Sequence, residues 1–184
     1  MTGLRHGEAA GAAVSFAALE ETVEQLRRAR AATAKYRDVR AAEADGYRAM
    51  GPYVAGQGFH YVKRQRGLAA AVDIERPPIL LYEKAPSAPD GLQLVGISWL
   101  LDAPAGPDGQ PATNPFPPAL AVWHKHENIC LLPPDGATVD LGLTGPQCRE
   151  RDGRFLAQTP WMMHAWIWKD SPAGVFSPLN PDVQ

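Results

Sequence analysis

The chain reads as an α+β domain in which an N-terminal amphipathic helix packs on an antiparallel, barrel-like β-sheet. Three observations predict this. Phe16, Leu19, Val23 and Leu26 recur at helical spacing, with Glu20, Glu21, Glu24, Arg27, Arg28 and Arg30 on the other face. Most of the 18 prolines and 17 glycines fall after residue 50 and cut the chain into short pieces. Several of those pieces alternate between apolar and polar residues, or are apolar throughout, as half-buried and buried strands are.

Taken in order, residues 1–14 read as a flexible lead and residues 15–184 as a single metal-binding domain. Ser15 is placed to cap a helix that starts at Phe16 and runs to about Lys35. Its acids lead and its bases follow, which suits the helix dipole. A turn near Tyr36–Asp38 leads into a second short helix that ends at Gly46. Gly51 to Gly58 reads as loop. Phe59–Lys63 is a short strand with His60 and Val62 on one face and Phe59 and Tyr61 on the other. A turn of helix is expected around Leu68–Val72. Ile79–Glu83 and Leu92–Leu101 form an antiparallel hairpin. Residues 102–118 are a long surface loop. A central strand spans 119–132 and stops at the turn Pro133-Pro134-Asp135-Gly136. Residues 137–152 read as irregular, followed by a short segment at Phe155–Gln158. Trp161–Trp168 is the last strand, with Met162, His164, Trp166 and Trp168 on one face. The tail lies against the body through Val175 and Phe176.

Composition narrows the function classes. The formal net charge is −2, and no Lys/Arg cluster is interleaved with aromatics, so nucleic acid is not an expected partner. No run of about 18 apolar residues exists, so no membrane-spanning helix is expected. The first 15 residues lack a leucine-rich core and a clear cleavage site, which leaves a cytoplasmic location or export with the signal removed. Cys130 and Cys148 have three readings: a bridge closing a loop of about 18 residues, two buried thiols, or a thiolate ligand. There is no Gly-rich phosphate loop, no Gly-x-Ser-x-Gly elbow and no dinucleotide signature.

The chemistry concentrates in histidine. His124 and His126 lie two residues apart in the apolar run Ala121–Cys130, and a strand turns residues i and i+2 to one face. His60 and His164 also fall in strands with apolar same-face neighbours. Each of the four alone is more often a hydrogen-bonded core or surface residue. Together, His60, His124, His126 and His164 point to one transition metal ion, copper or zinc first and iron next. Trp123, Trp161, Trp166 and Trp168 flank these segments and would wall the site. Glu127 is the available acid/base candidate, although alternation turns it away from the two neighbouring histidines. Cys130 falls on the histidine face.

Two resemblances add to this. His-x-His with a later histidine is similar, at the level of fold, to the cupins, small metal-binding β-barrels. Cupins place a glutamate three or four residues after the second histidine, whereas Glu127 follows His126 at once. A second resemblance covers most of the chain. It rests on Tyr36-Arg37-Asp38-Val39 to Asp45-Gly46-Tyr47, Gly58-Phe59-His60-Tyr61-Val62, Pro78-Ile79-Leu80-Leu81-Tyr82-Glu83 and Leu92-Gln93-Leu94-Val95-Gly96. It also rests on His164-Ala165-Trp166-Ile167-Trp168 through Gly174-Val175-Phe176 to Asn180-Pro181. In these the chain resembles a widespread bacterial family of uncharacterised, often exported proteins. The family's usual asparagine after His-Tyr is Lys63 here, and its Asn-Pro after the last strand is Ser171-Pro172. The resemblance implies that His60 and His164 are paired site positions and supplies no reaction.

The expectation is therefore a transition-metal-binding protein with its histidines in an aromatic-lined β cavity, suited to a small mononuclear metalloenzyme acting on a small-molecule substrate. The alternatives are a metal carrier or structural metal protein without catalysis, and a barrel that binds a small apolar ligand.

Overall fold

The computed structural model describes residues 13–63, 70–88, 90–107, 109–133 and 138–184. The flexible-lead expectation for residues 1–14 falls almost wholly outside them. So do the Leu68 end of the expected helical turn and most of the turn at 133–136. Residues 70–76 form bends and turns, not helix.

Helix α1 runs Phe16–Thr33, and the Ser15 side chain caps it by accepting from the Ala18 amide. A 3₁₀ turn, Ala34–Arg37, follows, and then α2, Val39–Ala44, capped by Asp38. Gly46, at φ +92°, takes the left-handed turn out of α2. Ala29 and Thr33 of α1 are fully buried, Thr22 is nearly so and Leu26 partly so. Phe16, Leu19 and Val23 remain exposed, Phe16 at 74%. The apolar stripe expected on α1 is thus buried only in part.

Among the described residues eight strands follow: β1 Tyr47–Val54, β2 Gly58–Lys63, β3 Ile79–Lys84, β4 Leu92–Leu101, β5 Glu127–Leu132, β6 Thr138–Leu141, β7 Arg154–Gln158 and β8 Trp161–Ala165. Helix α3, Gly145–Glu150, precedes β7, and Thr144 and Gln147 close a capping box at its start. The strands form two antiparallel sheets, one in the order β1-β2-β3-β4-β8 and one in the order β6-β5-β7. The α+β class is as expected. The sheets do not close into a hydrogen-bonded barrel.

Several expectations are corrected. Gly51–Val54 is strand, not loop. It lies on an edge strand, and the register shifts between Met50 and Val54, so Pro52 sits where a missing amide is tolerated. The central strand 119–132 is split: a turn at Pro117–Leu120, a single bridge at His124, and β5 from Glu127. Asn128, at φ +56°, breaks the alternation that would have put it on the histidine face. Residues 137–152 hold β6 and α3. The last strand ends at Ala165, because the Trp166 amide turns to the Val175 carbonyl. Trp168 consequently leaves the His164 face. Its indole donates to Thr33 Oγ1 and stacks under Arg30, on the helix side.

The five-stranded sheet has two working faces. One carries Tyr47, Tyr61, Leu80, Tyr82, Ile97 and Trp99, covered by the helical segment. Tyr82 Oη donates to the Tyr36 carbonyl there. The other carries Ile79, Leu81, Val95, Met162 and Trp166, covered by the C-terminal tail through Val183. The tail is pinned by Asn180, fully buried, whose amide donates to the Gly56 carbonyl while Gly56 donates to Val183. Phe176 is buried as expected, but Val175 is exposed.

Cys130 on β5 and Cys148 on α3 form a disulfide across an 18-residue separation. Gly153 packs against it: a Cβ there would come within 2.5 Å of Cys130 Sγ. Reduction should lower stability by about 3 kcal/mol and Tm by roughly 6–12 °C. Gly153→Ala, which overpacks the bridge, should cost roughly 1–3 kcal/mol. Calorimetry with and without reductant checks both; an unchanged Tm on reduction would show that β5 and α3 hold together without the bridge.

Candidate metal centre

Each histidine is fixed by a different piece of the fold. His60 is on β2, opposite Met50 on β1 and Leu81 on β3. Gly58, two residues earlier at φ +83°, lets β2 pass so close to β3 that a Cβ would meet the Tyr82 carbonyl oxygen at 2.2 Å. His164 is on β8, opposite Ser98 on β4. His124 is held against β8 by two backbone bonds with Met162, at 2.9 and 2.8 Å. His126 exchanges its backbone groups with Thr159, whose hydroxyl accepts the His126 amide at 2.9 Å.

The four rings then meet. Ring centroids lie 6.0 Å apart for His60 and His164, 5.2 Å for His124 and His164, and 5.1 Å for His124 and His126. β2 and β8 are three strand spacings apart, about 14 Å across a flat sheet. Side chains on those strands come into ring contact only because the sheet curls strongly around this face. Two imidazoles bound to one ion at about 2.0–2.1 Å would have centroids about 5 Å apart. Two of the three separations match that value and the third is wider. Among the described residues, no three His, Cys, Asp or Glu donors already stand in metal-holding geometry. The rings meet at steep angles, 84° in two cases, and side-chain rotation is needed before their nitrogens converge.

Polarity at the site is unusual. His164 is fully buried, and its Nδ1 lies 2.8 Å from the Pro178 carbonyl oxygen. A carbonyl only accepts, so Nδ1 carries the proton and Nε2 presents a lone pair. That Nε2 is buried without a partner, as is the Ser98 hydroxyl, while the His124 ring stands beside the Val122 backbone. A buried polar group left unpaired costs roughly 1–3 kcal/mol. Burial and the neighbouring histidines push His60 down to about 4 and His164 down to about 3. His124 is lowered by burial and then by His126, and His126 by burial. All four are neutral at pH 7 and able to donate to a metal.

Other expected residues fall differently. Glu127 is exposed at the start of β5. Cys130 is consumed by the disulfide and is no ligand. Of the four tryptophans, Trp166 alone stands against the histidines, 5.7 Å from His164 and edge-on. It lies flat enough on the sheet that a Cβ on Gly96 would strike its ring at 2.9 Å. Trp123 and Trp161 belong to the helix-side core. Two neighbours were not singled out from the sequence. Met162 stands beside His124 and alternates with His164, a signal present in the sequence. Met50 meets His60 only through the β1–β2 register, which no local pattern announces.

No family model, curated protein or solved structure matches the chain.

The lowered histidines make stability depend on pH. Unfolded imidazoles take up protons near pH 6.5, while the folded His60 and His164 resist to about 4 and 3. The unfolded state therefore binds more protons between those limits, and stability is present above pH 6.5 and lost as pH falls toward 4. A loss on the order of 3 kcal/mol per histidine is expected over that window. Urea unfolding at stepped pH measures it, and His164→Gln should flatten the slope.

Proposed function

We propose that the protein binds one transition metal ion through His60, His124, His126 and His164. The observation that carries this reading is the buried, unpartnered Nε2 of His164 inside a linked group of four neutral imidazoles. Such groups cost stability in the empty protein, and a metal ion satisfies them at once. The Nδ1–H bond from His164 to a backbone carbonyl is the usual outer support of a ligating histidine, because it fixes ring and tautomer together. His164 would ligate through Nε2.

The site favours holding an ion over hydrolytic catalysis. A hydrolase needs a base that reaches the metal-bound water. Glu127 faces solvent, and Glu83, the buried acid of this sheet, is tied to Lys169 at 2.7 Å. A carrier or a structural metal protein fits this donor set with no further group.

Elemental analysis after reconstitution and desalting tests the reading. The wild type should retain about one equivalent of metal, consistent with a single linked site. His124→Ala should lose most of it, and His126→Ala, at a less buried position, should lose it with the fold intact by circular dichroism. Glu127→Ala should keep it. Metal-free wild-type protein after reconstitution, or equal loss in Glu127→Ala, would contradict the reading.

A further inference from the structure

We propose that the ion is monovalent copper, Cu(I), and that Met50 and Met162 supply thioether sulfur beside the imidazoles. The inference rests on the metal site described above and adds the identity of its ion. Two observations carry it, one about charge and one about register.

All four imidazoles are neutral donors, so the ion's charge is not reduced by its ligands. Among the described residues, no ion pair joins a carboxylate to any of the four rings. Cys130, the one thiol close in sequence, is bridged and brings no negative charge. Glu83 is neutralised by Lys169. The cost of placing a charge in a poorly polarisable surrounding rises with its square, so an uncompensated divalent ion costs about four times a monovalent one. Zinc sites that lack anionic ligands resolve this by binding hydroxide, which needs a position open to water. At the His164 end no such position exists, because His164 has none of its surface exposed and the tail segment that carries Pro178 closes over it; His60, His124 and His126 are half-buried.

The register supplies softness. Directly opposed residues of an antiparallel pair point to the same face, with Cβ atoms about 4.5–5.5 Å apart. Met50 is opposed to His60, and Met162 to His124. Met162 is buried within the tail-side cluster with Trp166. Each thioether thus stands beside a different histidine of the set, on the same face. Thioether and imidazole together select Cu(I) over harder divalent ions.

The test is an anaerobic titration with Cu(I), buffered by the chromophoric chelator bicinchoninate, run in parallel with Zn(II). Wild type, Met50→Leu and Met162→Leu are compared, since leucine keeps the volume and removes the sulfur. The wild type should withdraw one equivalent of Cu(I) from the chelator and keep it against excess Zn(II). Each leucine variant should bind Cu(I) about 10-fold or more weakly, with zinc affinity unchanged. One equivalent of zinc bound in preference to Cu(I), with proton release, would overturn the copper assignment and leave the metal site standing. Loss of neither affinity in the leucine variants would remove the thioethers from the site. Failure to bind either ion would overturn this inference and the metal reading together.

Discussion

The bond from His164 Nδ1 to the Pro178 carbonyl is the contact on which the site depends. It fixes three things at once: the tautomer, the ring orientation and the position of the chain segment that covers the ring. The covering segment is itself pinned from both sides. Trp166 Nε1 donates to the Ser177 carbonyl at 2.8 Å, and Asn180 is locked to Asp170, Asp182 and Gly56. With the segment in place, His164 has no route to water. Its charged form is then strongly disfavoured, and its free nitrogen is left facing other histidines. A polar group in that position is expensive to keep unless something satisfies it.

Curl is what brings partners to that nitrogen. Here the helix-side face holds the tyrosines, Trp99 and Phe116, while the tail side holds a smaller apolar group with the histidines at its margin. The second sheet does not complete a barrel. β6 approaches β1 near Gly51, where a Cβ would touch Val139 at 3.2 Å, and the segment leading into β5 runs beside β8 at His124. The three-stranded sheet therefore meets the five-stranded one at these two places. His124 and His126 sit where the chain crosses between them, which is how residues of separate sheets share one cluster.

Much of this was legible in the sequence, and the misses have physical causes. The amphipathic helix, the hairpin β3–β4 and the alternation on β2 follow from periodicity, and that alternation already placed His60 opposite in sense to Tyr61. The four histidines were legible because buried strands rarely carry titratable groups without a reason. Gly51–Val54 reads as loop from sequence because Gly51 and Pro52 are poor strand formers; an edge position with a bulge tolerates both. The aromatic wall was overestimated. Alternation through 161–168 assumes a strand that continues, and the chain turns at Trp166 when its amide finds Val175. Asn180 is marked only by the Asn180-Pro181 motif, and Pro178 acts through a tertiary contact that no local pattern marks. The curl that joins β2 to β8 is likewise invisible to any window of sequence.

The site depends on His164 being a neutral imidazole with its proton on Nδ1, and long-range ¹H–¹⁵N correlation spectroscopy of the histidine rings observes that directly. The predicted result for metal-free protein is a neutral Nδ1–H tautomer for His164 at pH 7, unchanged at pH 5 because burial holds its protonation down near 3. A cationic ring at pH 5, or a proton resident on Nε2, would show that the Pro178 bond does not set this histidine and would contradict the site built around it.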